Sequence, residues 1–196
     1  RAMPPGEDLA TALHSQLGAE WRDEGGRRVP IRYGGTGDDH RALLEGRALV
    51  WRAWVDAVEL TGTDRRRFLH GYVTSDVQGL DDGTSAYGFL TSHQGRVLAD
   101  LTVLAAPDRL LLELPAGSAE RVAAHLGKYV IADRVEIRLR PELHAITLFG
   151  AAAERAAGAE GLSPGDGSCA EETLLDVPVL ADRRAVHGMP ALTFWV

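Results

Sequence analysis

Asp100, Tyr87 and Asp76 are the side chains of this 196-residue chain whose types and places suggest chemistry. Asp100 interrupts the apolar run from Val97 to Leu104, Tyr87 opens the strand-like stretch to Thr91, and Asp76 follows a helical segment. A carboxylate so placed can take a proton from a ligand or stabilise a cation developing on it. Each also has a plainer reading. Asp100 suits the outward face of an alternating strand, Asp76 suits a turn cap, and Tyr87 suits a core position with its hydroxyl hydrogen-bonded. Other chemistries are poorly provided for. The seven histidines (14, 40, 70, 93, 125, 144 and 187) are never closer than 19 residues, and Cys169 stands alone, so no local set of metal ligands and no intrachain disulfide is expected. Gly34-Gly35-Thr36-Gly37 lacks the lysine of a phosphate loop. No Ser-His-acid arrangement can be read from chain order alone.

Positioning such groups requires a folded core, and the composition allows one. Hydrophobic residues make up 45% of the chain and charged residues 25%. Twenty-eight acids against twenty-one bases leave a net charge of −7, with no cationic excess to neutralise phosphates, so nucleic acid is not an expected partner. No apolar run approaches the ~20 residues of a membrane span. A lone cysteine fits a reducing compartment, and the expectation is a soluble cytoplasmic protein.

The spacing of apolar residues predicts the elements. Leu9, Leu13 and Leu17 form one helical stripe over residues 7–17, with Gly18 as its C-cap. Pro30–Tyr33 is strand-like, and Asp38 or Asp39 caps a short helix carrying Leu43 and Leu44. Val55–Thr61 reads as a strand with Val58 and Leu60 on one face, followed by a helix capped by Thr63 or Asp64 and bearing Phe68, Leu69, Tyr72 and Val73. Tyr87–Thr91, a turn at Ser92–Gly95, Val97–Leu104 and Leu110–Leu114 give three more strands, the last buried on both faces. Ser118 caps a helix with Val122, Leu126, Tyr129 and Val130, and Val135–Leu139 alternates cleanly. Residues 173–180 and 192–196 are strand-like, and the chain stops on the second without a terminating signal, as if its remainder lay beyond. Strands joined by hairpins and interleaved with two helices predict an α+β sandwich, antiparallel sheet on one side and helices on the other.

The order of short motifs carries a resemblance. Leu13-His14, Leu17-Gly18-Ala19, Gly26, Pro30-Ile31-Arg32-Tyr33 and Asp39-His40 resemble the opening of the glycine-cleavage T-protein, the folate-dependent aminomethyltransferase. The similarity continues through Glu59-Leu60-Thr61-Gly62, Asp64, Phe68-Leu69, Thr74-Ser75-Asp76-Val77, Gly83, Tyr87, Leu90, the run Gly95 to Asp100, Leu112 and Phe149-Gly150. It implies an aminomethyltransferase-like folate-binding fold in which residues 1–54 and 141–196 form a first α/β unit. A ferredoxin-like unit, 55–140, is inserted into it, and a carboxy-terminal barrel-like domain would follow. It also implies tetrahydrofolate as cofactor, with Asp100, Tyr87 and Asp76 lining the site and Asp100 the catalytic acid.

Departures from the family pattern matter as much. Where T-proteins carry an aspartate pair, this chain has Ala99 and Asp100. Pro115 stands in place of an asparagine, and Thr193 falls where a glutamate anchors the pterin. Val50-Trp51-Arg52-Ala53-Trp54-Val55 replaces the aspartate, serine and methionine of another motif. The lysine-glycine-cysteine-tyrosine signature of the family's iron–sulfur-maintenance branch is missing: Lys128 is followed by Tyr129. A lost carboxylate leaves pterin donors unpaired at about 1–3 kcal/mol. Three functions are therefore expected in order: a folate-binding-type accessory protein of the iron–sulfur-maintenance kind without ordinary transferase chemistry, a tetrahydrofolate-dependent aminomethyltransferase with altered residues, and a pseudo-enzyme serving protein contacts. Folate and a protein are the expected partners.

Overall fold

In the computed structural model, residues 9–24, 27–34, 36–156 and 167–196 are described. One antiparallel sheet organises them. Its ten strands are β3 (Ala48–Trp51), β4 (Val55–Thr61), β5 (Thr84–Thr91), β6 (Val97–Ala105), β7 (Arg109–Pro115), β8 (Glu136–Leu139), β9 (Ala145–Phe149), β10 (Ser168–Leu174), β11 (Val177–Val186) and β12 (Met189–Trp195), in the spatial order β3-β9-β12-β11-β10-β5-β6-β7-β4-β8. β1 (Glu20–Glu24) and β2 (Arg27–Arg32) form a separate hairpin. The fold is α+β, as the alternation of strands and helices predicts.

Strand parity divides the residues into two sides. From β4, Val58 and Leu60 point one way, joined by Leu110, Leu112 and Leu114 of β7 and by Ala99, Leu101, Val103 and Ala105 of β6. On that side the sheet is covered by α3 (Arg65–His70), through Phe68 and Leu69, and by α4 (Ala119–Gly127), through Val122 and Leu126. Both helices share this one core, so both lie on one face, as predicted. The opposite residues, Ala57, Leu104 and Leu111, pack with Ala145, Cys169, Leu180 and Trp195 from the other half of the sheet. Residues of both halves meet there because the sheet curls around this second face. β7 is thus buried on both faces, as Leu110–Leu114 predicts.

Several local expectations shift. α1 (Leu9–Gln16) ends at Gly18, whose φ of +79° makes the expected left-handed cap, with Ala19 N–H donating to His14 O. Residues 7 and 8 of the predicted helix lie outside the described residues. α2 (Thr36–Leu44) carries Leu43 and Leu44 as expected. Neither of the next two helices is capped by its own side chain. Asp64 instead accepts from Arg134 N–H at 2.8 Å, and the start of α4 is capped by Asp56 of β4, which accepts from Gly117 N–H at 2.8 Å. The strand-like stretch 173–180 is broken at Leu175 and Asp176, the turn between β10 and β11, where φ is 52° and 64°. Without glycine, such a turn carries no sequence signal. α5 (Ala151–Ala156) follows β9. Two glycines of the resemblance have physical reasons. A Cβ on Gly62 (φ +100°) would lie 2.0 Å from Arg134 O, and one on Gly150 (φ +83°) 2.5 Å from Gly46 Cα.

Candidate functional site

The inner face of the curled sheet carries two aligned rows of mostly polar side chains. Tyr87, Thr102, Glu113 and Ala57 stand opposite one another on β5, β6, β7 and β4. Cys169, Asp182, Thr193 and Thr147 do so on β10, β11, β12 and β9. Paired residues of an antiparallel sheet share a face, so both rows point inward.

Charges join the rows. Arg52, just past β3, donates to Glu113 through both terminal nitrogens, at 2.6 and 3.1 Å. Arg184 of β11 reaches the same carboxylate and, through Nε, Asp182 at 2.5 Å. Arg52 and Glu113 are buried, and Asp182 is fully enclosed. Burial pushes the Glu113 carboxyl upward, but the Arg52 and Arg184 guanidiniums outweigh it and hold it below the usual glutamate value. For Asp182 the balance is opposite. Burial, helped by the Glu113 charge, holds its carboxyl above the usual value against the pull of Arg184. Its Oδ1 has no hydrogen-bond partner among the described residues. Next to it Thr193 is fully buried, its hydroxyl 2.8 Å from that of Thr147.

Beyond this buried lattice the inner face opens. Asp100 is exposed on β6, with Phe89 directly opposite on β5. The Tyr87 hydroxyl lies 3.5 Å from Asp100 Oδ2, and the Tyr87 and Phe89 rings meet nearly edge to face, 5.5 Å apart. Ala99 points the other way, into the helix-covered core. The structure therefore brings Tyr87 and Asp100 together. The Asp76 carboxylate accepts from Gly79 N–H at 3.0 Å and faces His70 Nδ1 at 3.5 Å, in a segment whose Thr74 hydroxyl accepts from Phe89 N–H on β5. Arg52 also lines a cavity of about 670 Å³ with Trp51, Asp56, Ala57, Arg140 and His144, and neither Tyr87, Asp100 nor Asp76 belongs to it.

Other singled-out residues have internal partners. Arg65 donates to Gly62 O and Pro107 O, Arg66 to Leu80 O and Asp82, and Arg67 to Asp133. The Leu13-His14 and Pro30–Tyr33 motifs meet where the Tyr33 hydroxyl contacts His14 Nδ1 at 2.5 Å, and His14 stacks on Trp51 at 4.5 Å. Cys169 is buried, and burial pushes its thiol up to about 12, against nucleophilic use. Glu113, Arg52, Arg184 and Asp182 are the residues that sequence reasoning missed. Their signal was present: a glutamate inside Leu110–Leu114 and an aspartate after Leu180-Ala181 are charges in apolar strands, which need partners.

A curled antiparallel sheet with helices on its outer face and a carboxylate–aromatic corner on its inner face defines the α+β architecture. The GCVT N-terminal domain pattern matches residues 10–159, and the chain belongs to that family. It is 30% identical over 140 residues to an aminomethyltransferase of Nitrosococcus oceani, covering 70% of this chain and 38% of that protein. It is 32% identical over 145 residues to one of Herpetosiphon aurantiacus, covering 73% and 40%. The chain thus spans about two-fifths of the length of these relatives. In fold it resembles the glycine cleavage system aminomethyltransferase T of Bartonella henselae, with a TM-score of 0.80 over 95% of this chain and 52% of that one, at 23% identity.

Proposed function

We propose that this chain is the folate-facing part of an aminomethyltransferase-family protein that binds tetrahydrofolate weakly and lacks ordinary aminomethyl transfer. It acts instead as an accessory protein of the iron–sulfur-maintenance kind, with folate and a protein as partners. In this reading residues 1–54 with 141–196 form one unit and 55–140 a second inserted into it. Thr193 carries the reading. At the position where the resemblance puts the pterin's carboxylate, a threonine is fully buried with its hydroxyl engaged by Thr147. It offers no charge, and its hydroxyl already shares a hydrogen bond with Thr147.

The remaining residues fit a folate only in part. Asp100 and Tyr87 would face the ligand, Asp100 accepting from its N–H groups or taking a proton, while Ala99 and Pro115 replace two further polar groups. Tetrahydrofolate, when bound, supplies the nucleophilic nitrogen that accepts the one-carbon unit. Each lost partner costs about 1–3 kcal/mol, and 1.4 kcal/mol is about tenfold in affinity. Two such losses move a micromolar site to roughly hundreds of micromolar. Calorimetry with tetrahydrofolate on the full-length protein is expected to give such weak binding. Low-micromolar binding abolished by Asp100→Ala overturns the reading.

A second reading, an active transferase with altered residues, is favoured by the exposure of Asp100 beside the Tyr87 hydroxyl. Tetrahydrofolate-dependent formation of a methylene-folate product from an aminomethyl donor, lost in Asp100→Asn, would establish it.

A further inference from the structure

A second cavity, of about 360 Å³, lies away from the Tyr87–Asp100 corner, and none of Tyr87, Phe89 and Asp100 lines it. Leu111, Leu143 and Leu180 supply its apolar wall, together with Trp195 of β12. Leu111 pairs with Leu104, which stands four positions beyond Asp100 on β6, or about 13 Å along the strand. Trp195 is 2% exposed, yet its indole N–H has no hydrogen-bond partner among the described residues. A buried indole donor ordinarily has one, so this wall asks for an acceptor oxygen. Five charged residues also line the cavity: Glu59, Glu171, Glu172, Arg109 and Arg140. Arg109 and Arg140 share the buried Glu59, and Arg109 Nη2 donates to Glu171 at 2.7 Å, so two cations and two anions cancel. Glu172, half-buried, enters none of these pairs and leaves the lining with an excess negative charge.

Apolar walls, an orphaned N–H donor and a carboxylate without a cation describe one kind of guest. The geometry points to a binding site for a small amphipathic amine that carries an acceptor oxygen. Its ammonium faces Glu172, its oxygen accepts from Trp195 Nε1, and its aliphatic body packs on Leu111, Leu143 and Leu180. A carboxylate guest meets the excess negative charge and is repelled. The cavity is at the small end of ligand pockets, which run from about 300 to 1,000 Å³, so the guest is small too. The site shares no residue with the folate reading and stands or falls separately from it.

The test titrates the full chain with three probes that share one aliphatic body, at about pH 6.5, where an α-amine is protonated. Leucinamide has both groups, 3-methylbutylamine lacks the carbonyl, and 4-methylpentanamide lacks the amine. In isotope-labelled protein the indole N–H signal lost in Trp195→Phe is that of Trp195, and ligand-observed NMR gives the affinities. Leucinamide is expected to move the Trp195 signal saturably, with a Kd of about 1 mM or tighter for so small a ligand. Each of the other probes should bind about fivefold more weakly. Trp195→Phe keeps a ring and removes the donor, and should erase the preference for leucinamide over 3-methylbutylamine. Glu172→Gln, at a half-buried position, should erase the preference over 4-methylpentanamide. If Trp195→Phe lowers the melting midpoint sharply, Glu172→Gln and the wild-type series decide. A Trp195 signal unmoved by leucinamide, equal affinities for the three probes, or a preference that survives its variant overturns the inference. None of these outcomes bears on tetrahydrofolate binding, which calorimetry reads separately.

Discussion

Glu113→Gln is expected to be among the most destabilising single substitutions at the inner face. The glutamate side chain is 9% exposed and holds two guanidiniums, Arg52 at 7% and Arg184 at 20% exposure. An amide of the same shape removes the charge and leaves Arg52 buried without its anion. Removing one partner of a buried pair costs about 3–5 kcal/mol, because the remaining charge stays desolvated and uncompensated. At roughly 2–4 °C per kcal/mol for a chain of this size, the melting midpoint should fall by about 6–20 °C. Urea unfolding followed by circular dichroism measures the same loss at 25 °C. The pH dependence adds a check. The Glu113 carboxyl lies below its usual 4.5, so its stabilisation is present above that value and lost as pH falls through the lowered one. The gap between wild type and Glu113→Gln should therefore close in acid. A double variant, Arg52→Met with Glu113→Met, removes both charges and should recover about 2 kcal/mol or more over the single change. A Glu113→Gln protein within about 1 kcal/mol of wild type would refute the argument, since a buried bidentate pair cannot be that cheap to break.

Three further outcomes follow from the same structure. Gly62→Ala places a Cβ 2.0 Å from Arg134 O at φ +100° and should cost on the order of 3 kcal/mol or more, read as a lower urea midpoint. Asp182→Asn should gain on wild type as pH rises: the raised folded pKa means that Asp182 favours the fold below its usual 3.8, and this advantage is lost as pH climbs through the raised value. Urea midpoints from pH 4 to 8 test it, and parallel curves would contradict it. Cys169, buried with its thiol pushed up to about 12, should resist maleimide in native protein at pH 7 and react once urea unfolds it.

Periodicity made the fold legible because each buried face repeats along its own element. Val58 with Leu60, and Val122 with Leu126, announce the same core from a strand and a helix. The caps were not legible. Asp56 serves Gly117 from 61 residues away, and Asp64 serves Arg134 from 70, so no local window contains both partners. The buried ion lattice was hidden in the same way: Glu113 is 61 residues from Arg52 and 71 from Arg184. A glutamate among leucines told that a cation must come, and nothing local told which of the arginines would supply it.

The one-residue question at Ala99 and Asp100 shows how parity carries a site. Side chains alternate along a strand, so a slip by one would exchange a core position for an open one. Ala99 is nine-tenths enclosed among helix-facing residues, and Asp100 therefore must project to the inner side, opposite Phe89 and beside Tyr87. The same parity puts Thr193 inward on β12, aligned with Asp182 and Thr147, where its hydroxyl is already engaged. One position thus keeps a carboxylate in the open while the other turns a charge into a closed hydroxyl pair. Together they leave Asp100 exposed on the inner face beside the Tyr87 and Phe89 rings. Parity alone thus sets Asp100 open beside Tyr87 and Thr193 closed against Thr147 on the same face.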